Sequence, residues 1–148
     1  MENHFDSSDI EYFKQLLNHE DNVIRTRAVC ILAEIGDKGV VDAIGDTLTN
    51  DKDSLVRHEA AFALGQMGFP DALTTLSHSI NSDPSLFVRH EAAIAVGVIG
   101  SEKGRDPLQK ALNDESHEVR ESARLALANL DYILSVRRKG KFASLTGG

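Results

Sequence analysis

Apolar residues along this chain gather in two alternating kinds of stretch. The longer kind begins at Ile24, Val56, Val88 and Val119 and places apolar residues three or four positions apart: Val56, Ala60, Leu64 and Met67 in one, Val88, Ala92, Val96 and Ile99 in the next. A shorter amphipathic stretch precedes each: Ile10, Phe13, Leu16 and Leu17; Val40, Val41, Ile44 and Leu48; Ala72, Leu73, Leu76 and Ile80; Leu108, Ala111 and Leu112. This spacing lines up one face of a helix with 3.6 residues per turn, and no alternation of period two competes with it. Gly36, Gly68 and Gly100 follow the longer stretches and are predicted as left-handed helix stops, with Asp131 in the fourth place. Pro70, Pro84 and Pro107 stand near predicted helix starts, where a missing N–H costs little.

The pattern is periodic. Ile24-Arg25-Thr26-Arg27-Ala28, Val56-Arg57-His58-Glu59-Ala60, Val88-Arg89-His90-Glu91-Ala92 and Val119-Arg120-Glu121-Ser122-Ala123 align at offsets of 32, 32 and 31 residues. A period in this range marks stacked supersecondary units, because one helical hairpin cannot bury its own apolar face. The prediction is one domain over residues 1–134 made of four hairpins, about 9–36, 38–68, 70–100 and 103–133. First helices form an outer layer and second helices an inner one. Residues 135–148 are expected to be a basic, mobile tail. The pattern resembles HEAT repeats, particularly the short variety of phycobilin lyases, which implies an all-α superhelical solenoid. Arg25, Arg57, Arg89 and Arg120 belong to that consensus and are expected to bond carbonyls or acidic groups between neighbouring repeats.

With 148 residues, 41% of them hydrophobic, the chain can build a continuous core. Its longest apolar run, Ala92 to Ile99 with Gly97 inside, is too short to cross a bilayer, and its amino terminus is acidic where a signal peptide is basic. These features read as a cytoplasmic protein. A single cysteine, Cys30, allows neither an internal disulfide nor a thiolate cluster, and its place in the helical pattern predicts core packing. The net charge of −7 argues against nucleic-acid binding and suits a cationic partner, such as a basic side chain of a substrate.

Two residues break the repeat consensus in the direction of chemistry. At about 100° per residue, His58 lies about 200° from Val56, and His90 bears the same relation to Val88, so both histidines face away from the buried stripe. Neighbouring second helices run roughly 8–10 Å apart, so the two imidazoles project from adjacent rows, within reach of one ion. Glu59 and Glu91 add hard oxygen donors. Two imidazoles with a carboxylate and no thiolate suit non-haem iron or manganese, and zinc also accepts them. The pairs occupy the middle repeats, whereas the terminal repeats carry Thr26-Arg27 and Glu121-Ser122. Solvated dipeptides copied with the repeat are the plain alternative.

Leu55-Val56-Arg57-His58-Glu59-Ala60-Ala61-Phe62-Ala63-Leu64-Gly65-Gln66-Met67, followed by Phe87-Val88-Arg89-His90-Glu91-Ala92-Ala93, resembles the deoxyhypusine hydroxylase family of HEAT-repeat di-iron monooxygenases. The resemblance covers roughly residues 22–113 and corresponds to one of that enzyme's two four-repeat halves. It implies His58, His90 and Glu91 as iron ligands, with Glu59 close by as a catalytic substrate contact, a group that supports the ligands, or a further ligand. Because the match is to one half, a two-fold homodimer is expected to rebuild the di-iron centre between two copies of the chain. Other readings of the same scaffold are a protein-interaction module and a lyase-type or oxygen-sensing protein.

Of the remaining histidines, His117, next to Glu118, falls three residues early in the repeat and is expected at a helix start. His78 is placed on a first helix, and His4 and His19 have no partner at metal-ligand spacing. Arg137-Arg138-Lys139-Gly140-Lys141 is the one basic cluster and is expected to be a solvated end.

Overall fold

The computed structural model describes residues 9–145, with side chains as far as Lys141. Eight α-helices account for it: α1 (Ile10–Leu16), α2 (Asn22–Ile35), α3 (Val41–Asn50), α4 (Ser54–Met67), α5 (Leu73–Ser82), α6 (Leu86–Ile99), α7 (Arg105–Ala111) and α8 (His117–Leu145). They pair as the four expected hairpins. The even-numbered helices pack side by side in one layer in the order α2, α4, α6, α8, and α3, α5 and α7 follow one another in the layer behind. Among the described residues there is no strand, and no helix is long and apolar enough to cross a membrane.

The apolar stripes meet between the two layers. Phe13, Leu32, Ile44, Leu48, Leu64, Leu76, Ile80, Val96 and Leu108 are fully buried there, and Val56, Ala60, Val88 and Ala92 are buried as their periodicity predicts. Between α4 and α6, and between α6 and α8, glycine faces alanine and the backbones approach closely. A Cβ added at Gly65 would stand 2.8 Å from that of Ala95, and one at Gly97 2.7 Å from that of Ala126. The side chains projecting from neighbouring second helices are thereby brought within reach of one another.

The arginine row ties each repeat to the next. Arg25 Nε and Nη2 donate to Asp51 at 2.8 and 3.1 Å, Arg57 to Asp83 at 2.9 and 3.1 Å, and Arg89 to Asp114 at 3.0 and 3.1 Å. Each aspartate also accepts an N–H two residues on, from Asp53, Ser85 or Ser116, and so shapes the turn that opens the following helix. Nη1 of Arg57, Arg89 and Arg120 closes the circuit on the backbone carbonyls of Asp51, Asp83 and Asp114. Hydrogen bonding to Asp51 and to Asp83 raises the guanidinium pKa of Arg25 and of Arg57, against the opposing effect of burial.

Two sequence expectations about helix ends are corrected. Gly68 and Gly100 take left-handed φ values of 74° and 70°, but Gly36 is extended, with φ −85° and ψ 168°. Glycine is needed there for space: a Cβ would lie 2.6 Å from both the Leu32 carbonyl oxygen and Val40. Nor does the fourth hairpin stop at Asp131. With no left-handed residue to turn the chain, α8 continues to Leu145, and Arg137–Lys141 lie within it. Asp131 pairs with Arg105 at 2.8 Å, and Arg137 donates to the Gly100 carbonyl at 3.0 Å, capping the end of α6.

Candidate functional site

Helix α4 starts on Asp53, whose side chain accepts the Leu55 N–H at 2.8 Å and the Asn22 amide of α2 at 2.6 Å. Those bonds, the Asn22 one first, hold the Asp53 carboxyl below its usual range. From this start the 3.6-residue turn carries His58 and Glu59 onto the open face of the layer, and the same geometry carries His90 and Glu91 there from α6. All four side chains are half-buried, neither in the core nor free in solvent.

Across the layer these side chains meet partners from the neighbouring repeat. His58 Nε2 lies 3.3 Å from Glu91 Oε2. The Cys30 thiol donates to Glu59 Oε1 at 3.2 Å. His90 Nδ1 is hydrogen-bonded to Ser122 Oγ, and that hydroxyl also bonds the Glu118 carbonyl at 2.8 Å. The result is a diagonal band from α2 to α8: Cys30 with Glu59, His58 with Glu91, His90 with Ser122. His58 and Glu91 are the two proposed ligands that directly meet. Among the described residues, no three His, Cys, Asp or Glu side chains are gathered tightly enough to enclose an ion within one chain.

Cys30 is therefore exposed, not part of the core as its sequence position suggested. In the repeat register it matches Phe62 and Ile94, both of which are also exposed, and partial burial of its sulfur followed by the Glu59 carboxylate pushes the thiol pKa up to about 11. Ser122 was visible in the sequence only as a repeat lacking its His-Glu pair, yet it is the buried partner of His90. His117 is the first residue of α8 and His78 sits on α5 in the other layer. His19 Nδ1 accepts the Asp21 N–H at 3.0 Å. His4 lies outside the described residues.

Apolar side chains flank the band. Leu55 and Phe62 on α4, Phe87 and Ile94 on α6, and Leu125 on α8 are exposed, Leu55 by 71% and Leu125 by 70%. At 100° per residue Leu55 and Phe62 fall within about 60° of His58, so they share its face.

Comparison with known proteins separates scaffold from site. The family model for HEAT repeats matches residues 10–97, and that for the PBS lyase HEAT-like repeat matches residues 88–114. Among solved structures, human deoxyhypusine hydroxylase in complex with glycerol superposes with a TM-score of 0.77 at 28% identity, over 84% of this chain. That match takes in 44% of the hydroxylase chain, so the chain spans less than half the length of the enzyme it resembles. An engineered protein superposes with a TM-score of 0.57 at 24% identity, over 84% of this chain and 63% of its own, and shows the fold alone. No curated protein sequence is a match.

Proposed function

Since the chain belongs to the HEAT repeat family, whose scaffold does not set an activity, we propose from its side chains that it is a non-haem di-iron, oxygen-activating protein. The nearest description is a monooxygenase of the deoxyhypusine hydroxylase type, with its centre assembled between two copies of the chain. One observation carries this reading: His58 and Glu91, from successive repeats, meet at 3.3 Å on the face where the hydroxylase likeness implies ligands.

The spacing suits a metal. Bonds of about 2.0–2.2 Å to nitrogen and oxygen put adjacent ligand atoms roughly 3 Å apart, so an ion could bind both groups with little movement. Imidazole and carboxylate without thiolate favour iron or manganese over a structural zinc. His58, His90 and Glu91 would hold the metal, and Glu59, kept in place by Cys30, would face the substrate. Bound iron would supply oxygen activation. The chain's own part is to fix the ligands, and its carboxylates and net charge of −7 favour a cationic substrate group.

A second copy supplies what one chain lacks. A two-fold axis sets the same patch of each copy opposite itself, so two bands of His and Glu would complete a two-metal centre. Leu55, Phe62, Phe87, Ile94 and Leu125 would be covered in the same step, removing an exposed apolar surface.

The test is metal content measured together with mass in solution and the visible spectrum under air. The expected result is a dimer holding about one iron per chain, with the metal lost from His58→Ala and Glu91→Ala while their helical circular dichroism is unchanged. A metal-free monomer that refuses ferrous iron overturns the proposal. The exposed apolar side chains beside the band would then favour the second reading, a HEAT-repeat module that docks a protein partner on this face.

A further inference from the structure

We infer that Ser122 is a positioning residue: it holds the His90 imidazole with its proton on Nδ1 and so leaves Nε2 as the free donor atom. A serine hydroxyl has one hydrogen to give, and Ser122 Oγ stands 2.8 Å from the Glu118 carbonyl oxygen, which can only accept. The hydroxyl proton is therefore spent on α8's own backbone, and toward His90 the oxygen can only accept. The hydrogen bond between Ser122 Oγ and His90 Nδ1 then requires an N–H on Nδ1. In a neutral ring that leaves Nε2 unprotonated, with its lone pair available.

The place of Ser122 in the fold supports this role. It is 3% exposed, so water does not compete for its hydroxyl. In the repeat register Ser122 stands where Glu91 and Glu59 stand, and it meets His90 from the following repeat as Glu91 meets His58. The two contacts differ in the nitrogen they use. Glu91 lies against Nε2 of His58, where a shared ligand would sit. Ser122 lies behind His90 on Nδ1, where an orienting group would sit. Close packing of α6 on α8 through Gly97 and Ala126 holds the hydroxyl and the ring in register. A ligand histidine fixed through its second nitrogen binds metal about ten- to a hundredfold more tightly than one left to rotate.

The consequence for metal rests on the di-iron reading, but the tautomer does not, and the experiment separates them. Long-range proton–nitrogen correlation spectra of the full-length, metal-free protein at about pH 8, above the ordinary imidazole pKa, report which nitrogen of His90 carries the proton. The wild type should show Nδ1 protonated and Nε2 bare. Ser122→Ala should lose that preference, and Ser122→Thr, which keeps a hydroxyl, should retain it. In anaerobic titration with ferrous iron, Ser122→Ala should bind about ten- to a hundredfold more weakly and Ser122→Thr near the wild type, with helical content equal in all three. A proton found on Nε2 of wild-type His90, or a Ser122→Ala spectrum identical to the wild type, overturns the inference. If the tautomer behaves as expected and the wild type takes up no iron, the inference on His90 stands and the di-iron proposal falls.

Discussion

Arg57 and His58 are neighbours on α4, as Arg89 and His90 are on α6, yet one position of offset places them in two unlike rows. The arginine row makes one bond pattern over and over: a bidentate grip on Asp51, Asp83 or Asp114 and a bond to a backbone carbonyl at the same turn. The band beside it never repeats itself, running through thiol with carboxylate, imidazole with carboxylate and imidazole with hydroxyl. Stacking identical hairpins requires identical joints, so the uniform row is what builds the solenoid. Stacking does not require contacts that change at every step. Their variety marks the band as the part of the surface released from structural duty.

The largest effect should come from the structural row. Arg57→Ala leaves Asp83, which is 9% exposed, without its cation but with the Ser85 N–H, and is expected to cost roughly 3 kcal/mol in urea unfolding. A loss below about 1 kcal/mol would break the contrast, since the arginines would then be no more than surface pairs. Next is Gly97→Ala. Its new Cβ would sit 2.7 Å from that of Ala126 and 2.9 Å from the Ala126 Cα, and a backbone atom cannot swing aside. Overpacking of about 1–3 kcal/mol should outweigh the better helix propensity of alanine, about 1 kcal/mol. The net result should be a lower melting temperature and, as α6 lifts from α8, altered His90 imidazole resonances.

Much of the scaffold was legible in the sequence because stacking imposes a period. The apolar stripes of α4 and α6 and the outward direction of His58 and His90 all follow from helical spacing. Acidic partners for the arginines were expected but not identified, although Asp51, Asp83 and Asp114 each precede the next arginine by six residues. Their signal lay in the turns, outside the helical alignment. Cys30 departs from the sequence expectation because an apolar residue type need not be a buried one. Alignment with Phe62 and Ile94 assigns it to the open face, which is apolar but uncovered. Ser122 could not be recognised from sequence: a serine in the glutamate position reads as a lost motif until α8 packs its hydroxyl against His90. The continuation of α8 past Asp131 had the same cause, since a repeat constrains only the chain inside its array and leaves the segment beyond the last hairpin free of its period.

A smaller effect tests whether the two rows share a foundation. Asp53 caps α4, the helix that carries both rows, and Asp53→Ala should cost about 1 kcal/mol at neutral pH. The folded-state pKa of Asp53 is depressed, by the Asn22 bond first. Its contribution is therefore complete above the unfolded-state value near pH 4 and disappears as pH falls through the folded value. The stability gap between wild type and Asp53→Ala should be constant from about pH 5 upward and close progressively below about pH 4. Iron uptake at neutral pH should match the wild type, because the cap is on the structural side of the helix.

The smallest effect on stability should fall on the residue that matters most to the band. His58 is partly solvated, and its link to Glu91 is an ion pair only when the ring is protonated. Such pairs are worth about 0–1 kcal/mol, and alanine recovers a few tenths through helix propensity. His58→Ala should therefore unfold within about 0.5 kcal/mol of the wild type, one position away from a substitution costing several times more. Metal binding should rank the same two variants in the opposite order, with Arg57→Ala keeping iron at temperatures where it is folded and His58→Ala losing it. If His58→Ala proves as destabilising as Arg57→Ala, then the histidine is a joint like the arginine beside it. The two rows would then differ only in bond type, and nothing would set this face apart for chemistry.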